Sequence, residues 1–84
     1  MTNSVVIGDC ETFTAGMFIE PIENWCDGVK EFGLPREYAF TSLTLFFGHI
    51  LGGAAEELGL HPNVTEVGKM IAEALAEELA RAKT

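Results

Sequence analysis

Hydrophobic positions recur every three or four residues along most of this chain, and two short breaks interrupt the rhythm. Between about Pro21 and Phe32, Ile22, Trp25, Cys26, Val29 and Phe32 keep the i, i+3, i+4, i+7 spacing of one helix face, while Glu23, Asp27, Lys30 and Glu31 fall outside it. From Val64 to Lys83, a second stripe of Val64, Val67, Ile71, Leu75 and Leu79 opposes Glu66, Lys69, Glu73, Glu77 and Arg81. Between them, "YAFTSLTLFFGHILGGAA", residues 38–55, carries no formal charge. A turn of about 100° per residue gathers Phe40, Leu43, Phe47, Ile50, Leu51, Ala54 and Leu58 on one broad face of that segment. This face is expected to form the core of the monomer.

The two breaks use the same device. In "KEFGLPREY" and "EELGLHPNVTE" a helical pattern runs through Gly-Leu to a proline. Gly33 and Gly59 can take the left-handed conformation that ends a helix, with Leu34 and Leu60 in the next position of a Schellman cap. Pro35 suits the first turn of the helix that follows, and Asn63 with Glu66 three residues on makes a near capping box. The pattern therefore predicts a mainly α domain of three helices, at about 21–32, 35–58 and 64–83.

Before them, "SVVIG" is a β-branched run ending in a Gly-Asp turn signal, and Phe13, Ala15, Met17 and Ile19 alternate with other residues. An extended arm or short β-hairpin is expected over about 4–19. Residues 1–19 would be this arm and 20–84 the three-helix domain, together one folding unit. A lone two-stranded ribbon is marginal, so the arm should lie on the helices or pair with a second copy.

Composition sharpens the need for a partner. Eighty-four residues bury only about 60 to 65% of the surface that the unfolded chain exposes. Yet 48% of the residues are hydrophobic, including six Phe and one Trp, more than so small a volume hides. A homodimer is expected, with a further protein partner as an option. Thirteen acidic against five basic residues give a net charge of −8, the wrong sign for a phosphate backbone, which argues against nucleic acid. The first residues lack the basic and long apolar regions of a secretory signal, so a cytoplasmic location with Cys10 and Cys26 as free thiols is expected, a disulfide between them being the alternative in an oxidising compartment.

Residues 38–55 reach the lower length limit for a membrane span. Thr41, Ser42, Thr44, His49 and three glycines, with no flanking cluster of Lys or Arg, favour a buried helix of a soluble protein instead.

The face of the middle helix opposite the apolar one collects Tyr38, Ser42, Leu45, His49, Gly52, Gly53 and Glu56. A glycine inside a helix costs about 1 kcal/mol relative to alanine, and here Gly52 and Gly53 stand beside Gly48. Close approach of a second helix, from this chain or a partner, would offset that cost. Leu45, His49, Gly52, Gly53 and Glu56 are accordingly the expected dimer contact, with Ser42, His49 and Glu56 at seven-residue spacing able to hydrogen-bond across it. The competing reading makes Tyr38, Ser42, His49 and Glu56 a small-molecule pocket or the site of a minor enzyme, with imidazole and carboxylate as acid and base. His49 and Glu56 lie two turns apart, about 10 Å along the axis, so direct pairing is disfavoured.

Other chemistry is poorly supported. Cys10, Cys26, His49 and His61 lack the short spacings of a zinc site, so no metal is expected. No glycine-rich phosphate loop follows a strand, so no cofactor is expected. Asp9 and Glu11 beside Cys10 disfavour a thiolate nucleophile. No catalytic set is assembled, which makes a non-enzymatic homodimeric interaction or regulatory module the first reading. The small-molecule pocket is the second, and a membrane-associated peptide using residues 38–55 the third.

Overall fold

Both glycine stops close helices by the same pair of hydrogen bonds. In a computed structural model of the chain, Gly33 and Gly59 have φ of 63° and 67°, the left-handed values that only glycine takes without a Cβ clash. The N–H of Leu34 donates to Val29 O at 3.1 Å and that of Gly33 to Lys30 O at 3.3 Å; Leu60 donates to Ala55 O at 2.8 Å and Gly59 to Glu56 O at 3.2 Å. These are the two bonds of a Schellman motif, made twice.

The helices they delimit are α1 (Asn3–Glu31), α2 (Arg36–Glu57) and α3 (Val64–Ala82). The structure describes residues 3–83, with side chains from Gly8 onward, and no strand occurs among them. The protein is thus mainly α, with its second and third helices within a residue of the expected bounds. At the start of α2, Pro35 O accepts from Ala39 N–H at 2.9 Å, so proline precedes the first helical residue. At the start of α3, Asn63 Oδ1 accepts from Glu66 N–H at 3.1 Å, the expected cap.

The N-terminal region differs from expectation. Residues 4–19, read as an arm or hairpin, lie within α1, while residues 1 and 2 of the expected arm fall outside the described residues. The alternation of Phe13, Ala15, Met17 and Ile19 also pairs Phe13 with Met17 and Ala15 with Ile19 at i, i+4, which is one helical turn. Pro21, expected at the first turn of a helix, sits inside α1 instead. It has no N–H to give Met17 O, so α1 carries one missing bond there.

The chain divides into two units, Met1–Thr44 and Leu45–Thr84. In the first, Val29 at 9% exposure is the buried hydrophobic residue, with Trp25, Cys26, Gly28, Ala39 and Leu43 half-buried around it. In the second, Leu51 and Ala55 of α2 and Val67 of α3 are half-buried. Covered positions thus cluster near Gly33 and Gly59, where each turn brings two helix ends together.

This corrects the expected core. On the broad apolar face of α2, Phe40, Phe47, Ile50, Ala54 and Leu58 are exposed, and only Leu43 and Leu51 are partly covered. On the α3 stripe Val64, Ile71, Leu75 and Leu79 are exposed as well. Helical periodicity assigned these residues to shared faces, but no element within either unit covers those faces away from the turns.

Candidate functional site

The residues singled out on the second face of α2 are all solvent-accessible. Tyr38 is 78% exposed, and Ser42, Leu45, His49, Gly52, Gly53 and Glu56 are exposed too. Tyr38 and Ser42 belong to the first unit, His49 and Glu56 to the second. No side-chain hydrogen bond or ion pair joins any of these four to another described residue. In a single chain they make no assembled acid–base set.

The neighbouring hydroxyls are already engaged. Thr41 Oγ1 donates to Glu37 O and Thr44 Oγ1 to Phe40 O, both at 3.0 Å. Such back-bonding turns the polar atoms into their own helix and leaves the threonine methyl groups outward.

The three helix glycines have room beside them. A Cβ built on Gly48, Gly52 or Gly53 would meet nothing within 4 Å. Close approach by a helix of the same chain, one of the two explanations offered for these glycines, is therefore absent among the described residues.

Gly53 and Glu56 do come together with Glu57, around an open depression of about 550 Å³ in the second unit. Both carboxylates stand in the last turn of α2, where the exposed carbonyls make the helix end negative, and that turn holds no basic residue. Their placement is thus locally unfavourable.

A second depression lies at the elbow of the first unit and was not anticipated as a site. Trp25, Cys26, Val29 and Lys30 from α1 and Arg36 and Phe40 from α2 line a cleft of about 170 Å³. In the sequence Trp25, Cys26 and Val29 stand out only as part of an apolar stripe. A usable signal was the placement of two of the chain's five basic residues on either side of one helix stop.

Cys10 and Cys26 are both free, Cys10 exposed and Cys26 half-buried. Both ride on α1, sixteen residues apart, which at 1.5 Å per residue is about 24 Å along the axis. A bridge needs Cα atoms within about 7 Å, so an intrachain disulfide is incompatible with this helix. No three His, Cys, Asp or Glu side chains are grouped to hold a metal ion among the described residues.

By length and composition α2 can cross a membrane, and no residue of its apolar window is buried. No protein-family model matches the chain, and no curated protein or solved structure matches it significantly. The functional reading rests on the geometry of its own residues.

Proposed function

We propose that this chain is a non-enzymatic interaction module that works as a homodimer, with Leu45, His49, Gly52, Gly53 and Glu56 of α2 at the contact. One observation carries the reading: the apolar faces of α2 and α3 lie open in the single chain, and a Cβ added at the α2 glycines would meet nothing within 4 Å among the described residues. Exposed apolar surface on this scale marks an interaction site in a water-soluble protein. A second copy supplies an identical face of matched chemistry, and the glycines let the two backbones approach closely enough to recover dispersion contacts. Ser42, His49 and Glu56 would then find hydrogen-bond partners across the seam that they lack in one chain.

Light scattering over a dilution series tests this. The expected mass in the micromolar range is twice 9.1 kDa, with a melting temperature that rises with concentration. A monodisperse 9.1 kDa species at those concentrations overturns the dimer.

The exposure of α2 also favours a membrane reading, in which acyl chains rather than a second copy cover the helix. Flotation with neutral lipid vesicles separates the two. A chain that stays with the buffer is the interaction module, and one that floats with lipid is the membrane peptide.

A further inference from the structure

The elbow cleft between α1 and α2 combines three features. Its walls are aromatic, Trp25 on one helix and Phe40 on the other. Val29, the buried hydrophobic residue, and half-buried Cys26 also line it, giving it an apolar interior. Lys30 and Arg36 complete the lining from either side of the turn.

The two cations are the informative part. Lys30 and Arg36, like Lys69 and Lys83, make no ion pair with any described residue, and the first two both line this cleft. Two unmatched cations share one cleft, and their mutual repulsion falls when an anion sits between them. The helix ends at the elbow carry both signs, with Lys30 in the last turn of α1 and Glu37 in the first turn of α2, so the positive charge of the cleft rests on the Lys30 and Arg36 side chains that line it.

We infer that this cleft binds a small aromatic carboxylate, the ring between Trp25 and Phe40 and the carboxylate against Arg36 and Lys30. A planar guanidinium can grip a carboxylate through two parallel N–H donors, a geometry that a point charge does not offer. Offset stacking on the two aromatic side chains selects a flat body over an aliphatic one. At about 170 Å³, against the roughly 300–1,000 Å³ of sites for larger organic ligands, the cleft suits a single ring. This site lies in the first unit and is independent of the proposed dimer contact.

The test uses benzoate on the full chain, with benzyl alcohol, acetate and inorganic phosphate as controls. Trp25 is the sole tryptophan, so its fluorescence reports the cleft directly. Benzoate is expected to change that signal saturably, with acetate, phosphate and benzyl alcohol each at least about tenfold weaker. Arg36→Gln should weaken benzoate about tenfold, the loss of one charge-assisted contact, and Lys30→Gln should weaken it less; circular dichroism confirms that both variants keep their helices. Alkylation gives a second readout: benzoate should slow modification of Cys26 and leave exposed Cys10 unchanged. A response without saturation, equal binding of benzyl alcohol or phosphate, or undiminished binding by a helical Arg36→Gln variant would overturn the assignment.

Discussion

The N–H of Leu34 donates to the carbonyl of Val29 at 3.1 Å, so the bond that closes α1 is anchored on the buried hydrophobic residue of the first unit. The link depends on Gly33, whose φ of 63° turns the chain back at that point. Gly33→Ala is expected to cost about 1 kcal/mol, and Gly59→Ala a similar amount in the second unit. Gly28→Ala is the control: Gly28 is helical and a Cβ there meets nothing within 4 Å, so alanine should be neutral or stabilising. Thermal melts followed by circular dichroism read all three. Equal effects at Gly28 and Gly33 would contradict the assigned stop.

Pro21 tests whether α1 is continuous. Inside a helix proline costs about 3 kcal/mol, so Pro21→Ala should raise both helix content and melting temperature. Were Pro21 instead the first residue of a helix, alanine would bring little gain. The sign and size of the change therefore separate a helix starting at Asn3 from one starting near Pro21.

On α2, alanine and leucine at the same glycine should behave oppositely. Gly52→Ala improves helix propensity by about 1 kcal/mol and meets no intrachain obstacle. Gly52→Leu also favours the helix but adds bulk that a closely approaching partner cannot accept. For the proposed contact, the leucine variant is expected to be a helical monomer by light scattering. A leucine variant that dimerises as well as the parent places the contact elsewhere.

The cysteine geometry predicts the products of oxidation. With Cys10 and Cys26 far apart on one helix, mild oxidant should yield intermolecular disulfides and leave no compact, fast-migrating monomer on a non-reducing gel. Cys10, being exposed, should react with a thiol reagent faster than half-buried Cys26. A monomer bridged between Cys10 and Cys26, two hydrogens lighter and reversed by reductant, would contradict a helical α1.

The parts of the fold that were legible beforehand rest on local chemistry. Gly33-Leu34 and Gly59-Leu60 each specify a stop within a few residues, and Asn63 with Glu66 specifies a start, so α2 and α3 fall where expected. α1 was harder because its first half carries contradictory signals. A β-branched run and alternating apolar residues suggested strand, and Pro21 suggested a boundary, although i, i+4 pairs were present throughout.

What covers a face is a different kind of information. Periodicity places Phe40, Phe47 and Ile50 together but does not reveal how far another helix covers them, and in the single chain all three stay exposed. The elbow cleft was hidden for a related reason. Trp25 and Phe40 are fifteen positions apart, and only the turn at Gly33 brings both to one cavity.

The two Schellman stops also bear on the order of events in assembly. Each bond that closes a turn or caps a helix spans only three to five residues, so no distant segment has to arrive before α1, α2 and α3 can form. Local structure of this kind forms within microseconds. Association would then be an encounter between finished helices, and its observed rate should scale with protein concentration, with no slow concentration-independent phase.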